Sequence, residues 1–505
     1  LNGISFEIEK IHQSAVLDNI NFKIPCQNVS LLRLRFKTNS HFSRANSRLL
    51  AAGFILYSNT WNSYQNSHTQ FMVDNDLKFY EWYNCRFTSI KHKTTVPIYT
   101  IKIDSFSPTS KNITSFSPVI AYYDLEVFSG AESTAKASVP NPEILSNYIT
   151  HCSLVIEKNN EVIFEAVLHN TREKLEPPNI FCSSEKELLH KFFLLLHEYG
   201  CNLLVGFNNF YFDSDWIMKR SSTHELENPI LRLFLGELVD KWANTSFTDH
   251  SLYYNLIVES GKQTLQKRSR IPGIHELDMM SMLTRNFPRA TDEGIGLNNW
   301  LKHFKLEQKT AMSFPLFQLL ILYINGTSLP ISPTFDVNIE KKYKPENLIQ
   351  LIKEEAKKLG YEKSLAFLTK QVAVYNLRDS MALFDLNRLT GVIKMGLGNL
   401  LMAPITALQA IHCGVSLILI PFLVSFIKSR GILVGCRMPQ GMETSSSIQG
   451  GVVIPPVFAP KGIFSTPILI FDFSGLYPNV IISNSISPEN ISYFEAPEEG
   501  IEIQK

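Results

Sequence analysis

One apolar segment constrains the fold of this chain most, residues 117–128 with the sequence SPVIAYYDLEVF. Its β-branched and aromatic residues predict a strand, which two carboxylates, Asp124 and Glu126, interrupt. Side chains two residues apart share a face of a strand, so both carboxylates would emerge together. Adjacent carboxylates repel unless a proton or a cation lies between them, which favours a metal site. A D-x-E pair also arises by chance, so this interpretation needs support from the rest of the sequence.

The segments after this strand predict a mixed α/β domain. Residues 151–159 and 161–170 have the apolar character of two more strands, joined by a turn at Asn159 and Asn160. A helix is predicted from a cap at Ser184 to Gly200, and residues 202–209 form the next strand. Strands followed by a helix and a further strand are typical of an α/β domain.

Two later motifs add chemistry to the pair. Asp213 follows the strand at 202–209, at the position where α/β sheets present their sites, and Asn208 offers an amide nearby. An ordinary loop with an aspartate capping the next helix would explain the same residues. Tyr375 and Asp379 are four residues apart in a predicted helix over 372–389, so they share a face. A phenol beside a carboxylate can orient a water and help to ligate a metal.

Taken together, the three motifs are much more specific than any one of them. D-x-E, N-x-x-x-F-D and Y-x-x-x-D supply four carboxylates and a tyrosine, the groups needed for two-metal phosphodiester hydrolysis. In this order they resemble the three exonuclease motifs of the 3′–5′ proofreading domain of family B DNA polymerases, which has a ribonuclease H-like fold. The flanking segments GFNNFYFDSDWIMKR and GIHELDMM are also similar to those of the family.

The C-terminal part of the chain carries an independent resemblance. Residues 467–482, PILIFDFSGLYPNVII, are similar to the first polymerase motif of the same family, D-F-x-S-L-Y-P. Gly450 and Gly451 resemble the family's Y-x-G-G approach to the palm domain, and SISPEN at 485–490 is similar to polymerases of large DNA viruses. Three positions depart from the family pattern: Ile448, Gly475 and Ser485.

The resemblance implies roles for individual residues. Four carboxylates would hold two magnesium or manganese ions in the exonuclease site: Asp124, Glu126, Asp213 and Asp379. Tyr375 would align the water or the scissile phosphate, and Asn208 and Phe212 would contact a frayed primer end. In the polymerase site, which also takes two such ions, Asp472 would be a metal ligand and Tyr477 would pack under the incoming sugar.

The resemblance also implies a domain layout and partners. We expect a β-rich N-terminal domain over 1–115, an exonuclease domain over 116–395, and a helical connection with the start of a palm domain over 396–505. Expected partners are DNA primer-template and single-stranded 3′ ends, deoxynucleoside triphosphates for the full-length protein, and a processivity factor as a further candidate. The chain starts at Leu1 and lacks the family's later motifs, so we expect a fragment that digests DNA without adding nucleotides.

Composition and one apolar segment leave alternatives open. Seven cysteines without a C-x-x-C and the absence of a signal pattern predict an intracellular protein, in the nucleus or a cytoplasmic factory if viral, and not a secreted one. Residues 400–427 are nearly uncharged, but Pro404 and Pro421 interrupt them, which favours short buried helices over a membrane span. Two alternatives remain, a stand-alone or degraded exonuclease-like scaffold that binds nucleic acid and a protein anchored in a membrane through 400–427.

Overall fold

A computed structural model describes about three fifths of the chain. The described residues are 6–16, 27–36, 39–52, 72, 77, 83–89, 99–101, 106–108, 117–129, 140–173, 175–176, 178–235, 253–260, 262–269, 271, 273–288, 294–309, 312–326, 345–361, 363–405, 410–411, 418–419, 421–423, 425–426, 432–434, 469, 471–485, 492–493 and 503–504. The Cα positions group residues 74–419 into one compact unit, and 1–73 with 420–505 into another.

The strands of the described residues range from two to eleven residues in length. In chain order they are β1 (Phe6–Val16), β2 (Gln27–Phe36), β3 (Tyr83–Asn84), β4 (Phe87–Ser89), β5 (Tyr99–Ile101), β6 (Ser107–Pro108), β7 (Ile120–Phe128), β8 (Tyr148–Lys158), β9 (Glu161–His169), β10 (Ile180–Phe181), β11 (Leu203–Gly206), β12 (Tyr253–Ser260), β13 (Lys262–Ser269), β14 (His275–Asp278), β15 (Ile432–Val434), β16 (Ser492–Tyr493) and β17 (Ile503–Gln504).

Most helices belong to the larger unit. In chain order they are α1 (Asn39–Ala51), α2 (Glu185–Glu198), α3 (Asp213–Thr223), α4 (Glu227–Leu235), α5 (Met279–Asn286), α6 (Leu297–His303), α7 (Phe314–Asn325), α8 (Pro345–Lys358), α9 (Leu365–Thr390), α10 (Val392–Gly398) and α11 (Leu476–Ser483). Short 3-10 turns cover Asn209–Tyr211 and Asn399–Leu401.

A six-stranded sheet in the order β10-β9-β8-β7-β11-β14 organises the larger unit. β7, β8 and β9 form an antiparallel meander, and β11 lies parallel to both β7 and β14. The meander's β8–β9 turn has Asn159 and Asn160 in the left-handed region, which asparagine tolerates well. The mixed α/β fold predicted from the sequence is confirmed.

The two faces of this sheet are covered by different helices. Tyr123 and Leu125 of β7 pack into a core with α2 and α3, whereas Ile120 and Tyr122 pack into a second core that includes Leu383 of α9. The even-numbered residues of β7 therefore face α9. This alternation places Asp124 and Glu126 on the α9 side.

Helix α9 is the element that covers this part of the sheet. Ser364 caps its N-terminus by accepting a hydrogen bond from the backbone N–H of Phe367, and Gly391 ends it in the left-handed conformation. The helix packs on both β7 and β8. Residues 372–389, predicted as a helix, lie wholly within it.

The smaller unit holds fewer described residues. β1 pairs with β2 antiparallel and with β15 parallel, which gives a three-stranded sheet. The predicted segment 400–427 is described only in part. Among the helices whose placement the structure describes, none combines the length and the apolar character needed to span a bilayer.

Candidate metal centre

Three of the four predicted exonuclease carboxylates meet between β7 and α9. One oxygen each of Asp124, Glu126 and Asp379 lies within 4.8 Å of the other two. Asp124 and Glu126 leave the same face of β7, and Asp379 projects from α9 above them. Asp379 is more than 250 residues from the other two in the sequence, and the packing of α9 on the sheet brings it next to them.

A buried amide fixes the position of Asp124. Asn376 of α9 donates its side-chain N–H to Asp124 Oδ2 at 2.9 Å and to the Asp124 carbonyl at 3.1 Å. The backbone carbonyl of Asn376 accepts a hydrogen bond of 2.8 Å from Ser153 Oγ of β8. Because these bonds join the helix to both strands, they hold the aspartate against its neighbours.

The three carboxylates strongly disfavour being charged together. Burial, followed by the charges of Asp379, Asp213 and Glu126, raises the pKa of Asp124 well above its usual value. Burial and the charge of Asp379 raise the pKa of Glu126 to about 8. Such a group holds protons unless a cation neutralises it.

The donor set fits a divalent metal ion of the magnesium type. All three ligands are carboxylates, which such hard cations prefer. Asp379 Oδ1 is buried and has no hydrogen-bond partner among the described residues. A cation bound between the three carboxylates would give this buried oxygen the partner that it lacks among the described residues.

A lysine that the sequence analysis did not single out lies in the same site. Lys309 Nζ is 2.5 Å from Asp379 Oδ2, and it lies 4.8 Å from the ring centre of Tyr375. Burial lowers the pKa of Lys309, but the charge of Asp379 and the hydrogen bonds to Asp379 and Tyr375 outweigh this and raise the pKa above its usual value. Lys309 follows α6 in a polar segment, 70 residues before Asp379, so no spacing signal connects them.

Tyr375 lies beside Asp379, as the helical spacing predicts. Burial and the charges of Asp379 and Glu126 raise the pKa of the Tyr375 phenol above its usual value, so the hydroxyl stays protonated. Its O–H therefore remains a hydrogen-bond donor at the edge of the carboxylate group.

The fourth predicted carboxylate, Asp213, lies next to the group rather than in it. It is the first residue of α3, and its Oδ1 accepts a hydrogen bond of 3.2 Å from the backbone N–H of Leu125. Burial raises the pKa of Asp213 to about 7, although the bond from Leu125 opposes this. The charge of Asp213 also helps to raise the pKa of Asp124. The arrangement is three clustered carboxylates with a fourth beside them.

Asn208 and Phe212 flank the start of α3. Asn208 has a left-handed backbone with φ of 56°, and its N–H donates to Asp278 Oδ1 at 2.7 Å. Phe212 is half-buried and its ring lies 6.1 Å from that of Trp216. Contact of either residue with DNA stays a prediction.

The predicted polymerase residues have different surroundings. Asp472 lies in an exposed segment, and Tyr477 on α11 is 76% exposed. Gly475 precedes α11 with φ of 62°, a conformation that favours glycine, and Ser485 is also left-handed. Ile448, the third departure from the family pattern, lies outside the described residues together with Gly450 and Gly451.

Two family models match the chain, and together they cover more than half of it. The model described as "DNA polymerase family B, exonuclease domain" matches residues 58–295, and that described as "DNA polymerase family B" matches 407–504. Asp124, Glu126 and Asp213 fall in the first range and Asp472 in the second. Asp379 lies between the two ranges, so its place in the site rests on the geometry.

Viral DNA polymerases are among the curated relatives. The chain is 20% identical to the DNA polymerase catalytic subunit of Alcelaphine herpesvirus 1 (strain C500), over 83% of this chain and 35% of that protein. It is 20% identical to the DNA polymerase of Pyramimonas orientalis virus, over 62% and 26% respectively. The chain thus spans between about a quarter and about a third of the length of these relatives.

A solved structure has a similar fold. The family B DNA polymerase of the hyperthermophilic archaeon Pyrobaculum calidifontis matches with a TM-score of 0.54 and 14% identity. The match covers 99% of this chain and 52% of the archaeal one. At this identity the match shows the fold alone.

Proposed function

This chain belongs to the family B DNA polymerases, and we propose that its carboxylate cluster is a metal-dependent 3′–5′ exonuclease site for single-stranded DNA ends. The observation that carries this proposal is the meeting of Asp124, Glu126 and Asp379 within 4.8 Å, with a buried Asp379 oxygen that lacks a partner among the described residues. The exonuclease-domain match over residues 58–295 supports it.

Two magnesium or manganese ions are the proposed cofactors. Asp124, Glu126 and Asp379 would hold one, and Asp213 with the neighbouring Asp124 would hold the other. When bound, such a pair supplies an activated water and stabilises the leaving oxygen of a phosphodiester.

The protein side chains contribute positioning and charge. Tyr375 keeps its proton, so its hydroxyl would donate to the water or the scissile phosphate. Lys309 provides a positive charge beside Asp379 that compensates the carboxylates before a metal arrives. Asn208 and Phe212, at the start of α3, would hold the terminal nucleotide by its backbone and base.

For the whole protein we propose template-directed DNA synthesis with proofreading. Asp472 would be one metal ligand of a two-metal polymerase site and Tyr477 would pack under the sugar of the incoming deoxynucleoside triphosphate. Primer-template DNA is the proposed substrate and a processivity factor a further partner. The proposed domain layout is a β-rich N-terminal domain over 1–115 and a ribonuclease H-like exonuclease domain over 116–395. A helical connection and the start of the palm domain follow over 396–505. The viral relatives favour a location inside the host cell, in the nucleus or a viral factory.

The test is digestion of a 5′-labelled single-stranded oligonucleotide with Mg²⁺. We expect products that shorten from the 3′ end, and no digestion by Asp124→Ala plus Glu126→Ala. A matched control is Glu161→Ala plus Glu165→Ala, which removes two exposed carboxylates from β9 of the same sheet. Digestion that continues in the first double variant, or that needs no metal, would show the assignment to be wrong.

A further inference from the structure

A buried glutamate outside the three motifs connects the segments that carry them. Glu276 of β14 is only 4% exposed. Its Oε1 accepts hydrogen bonds from Tyr123 Oη at 2.9 Å and Asn209 Nδ2 at 2.8 Å, and its Oε2 accepts one from Ser214 Oγ at 2.9 Å. The three donors come from β7, from the turn after β11 and from α3.

The donors are placed next to the candidate site in the sequence. Each one adjoins a candidate site residue: Tyr123 precedes Asp124, Asn209 follows Asn208 and Ser214 follows Asp213. A single carboxylate therefore contacts the neighbours of two proposed metal ligands and of the proposed DNA contact. Its own side chain lies on the other side of β7 from the carboxylate cluster, since Tyr123 and Asp124 face opposite ways.

We propose that Glu276 is a positioning residue, which sets the separation of Asp124 and Asp213 and thereby the affinity of the site for divalent metal. This inference rests on the proposed exonuclease function. The direct link between the two segments is the hydrogen bond from Leu125 N–H to Asp213 Oδ1. Glu276 supports it from the opposite face of β7, through Tyr123 and Ser214.

The surroundings leave this contact little freedom. Tyr123 is 1% exposed and its ring lies 5.7 Å from that of Phe192. Asn209 packs so closely on Gly206 that a Cβ at Gly206 would lie 2.5 Å from Asn209 Cβ. Since both donors are fixed by packing, loss of the acceptor would leave the Tyr123 hydroxyl without this acceptor and Asn209 Nδ2 with its long bond of 3.4 Å to Tyr123 Oη.

Two substitutions distinguish the effect of the Glu276 hydrogen bonds on metal binding from the effect of its side-chain volume. Glu276→Gln preserves all three contacts, because its Oε1 still accepts twice and its amide can donate to Ser214 Oγ. Glu276→Leu removes them at similar volume. A matched control is Glu157→Leu on β8, a buried glutamate that is 3% exposed and interacts with Tyr122 on the other face of β7.

The measurement is the affinity of the full chain for Mn²⁺, monitored by electron paramagnetic resonance. It is made well below the unfolding temperature of each variant. We expect Glu276→Leu to weaken Mn²⁺ binding about 10-fold, the lower end of the usual cost of losing a direct partner of a metal ligand, because Glu276 acts on the ligands through their neighbours. Glu276→Gln and Glu157→Leu should bind like the parent. The KM for the oligonucleotide at saturating Mn²⁺ should not change.

Several outcomes would overturn the positioning role. Parental Mn²⁺ affinity in Glu276→Leu would do so, and so would an equal loss in Glu276→Gln or Glu157→Leu. If Glu276→Leu does not fold, Tyr123→Phe plus Ser214→Ala removes two donors instead, and parental Mn²⁺ affinity there also overturns it. If the parent digests no DNA while Glu276→Leu still weakens Mn²⁺ binding, the exonuclease proposal fails and the positioning role stands.

Discussion

Asp124 and Asp472 both follow apolar, aromatic residues in the sequence, yet their environments differ. Asp124 lies on an interior strand of the six-stranded sheet under α9, where burial and three other carboxylates raise its pKa. Asp472 lies in an exposed segment, between Phe471 and Phe473, which are 90% and 76% exposed. The same kind of motif thus yields a preassembled group of ligands in one unit and a solvated carboxylate in the other. Among the described residues, the cluster of three carboxylates that could hold a metal lies in the first of these units.

The largest change in metal affinity should come from removing the hydrogen bonds that Asn376 donates to Asp124. Asn376→Ala removes both hydrogen bonds to this residue, and we expect metal affinity to fall about 10- to 100-fold. The measurement is the Mg²⁺ concentration that gives half-maximal digestion of a single-stranded oligonucleotide.

A matched control for this prediction lies on the same helix. Asn387 is also buried and donates to Tyr122 of β7, away from the carboxylates. Asn387→Ala should leave the Mg²⁺ dependence unchanged. An equal change in both variants would mean that packing of α9, rather than the bond to Asp124, determines the metal affinity.

A smaller effect should appear in the pH dependence of stability. Glu126 and Asp213 have pKa values of about 8 and about 7 in the folded chain, above the ordinary values of 4.5 and 3.8. Between those values the folded chain binds more protons than the unfolded one, so its free energy of unfolding falls as pH rises. A bound cation replaces those protons, so stabilisation by Mg²⁺ should grow from about pH 5 to about pH 8.

Thermal unfolding with and without Mg²⁺, at about pH 5 and at about pH 8, measures how the stabilisation by the ion depends on pH. At 100 times its Kd the ion should add about 2.7 kcal/mol to the free energy of unfolding at the higher pH. Asp124→Asn plus Glu126→Gln should reduce the growth of Mg²⁺ stabilisation with pH, because Asp213 is then the one of these two titrating groups that remains. Equal stabilisation at both pH values would contradict the link between these protons and the metal.

The smallest effect is expected at the other aspartate. Because Asp472 is exposed, Asp472→Ala should change the free energy of unfolding by less than about 0.5 kcal/mol. Digestion and its Mg²⁺ dependence should match the parent. A loss of digestion would show that the two aspartates act in one site and not in two separate environments.

Much of the site could be predicted because its motifs follow simple periodicities. Alternation along β7 put Asp124 and Glu126 on one face, and the four-residue spacing put Tyr375 beside Asp379. The start of a helix after β11 predicted where Asp213 lies.

The remaining contacts are tertiary and leave no local pattern. Lys309 lies in a polar segment after α6, and only the packing of α9 shows that it pairs with Asp379. Glu276 is one carboxylate in a short strand, and its three donors come from three other elements. Asp213 lies beside the other three carboxylates and accepts the Leu125 N–H, a tertiary contact that no local pattern indicates, and its role as a metal ligand stays a prediction.

If the carboxylates of β7 and α9 form a divalent-metal centre, crystals of the chain grown with Mn²⁺ should show the ion bound there. Anomalous scattering at the manganese edge tests this most directly. We predict a manganese peak between Asp124, Glu126 and Asp379, a second beside Asp213, and Lys309 Nζ moved away from Asp379. No peak at the cluster, with Lys309 still paired to Asp379, would contradict the claim.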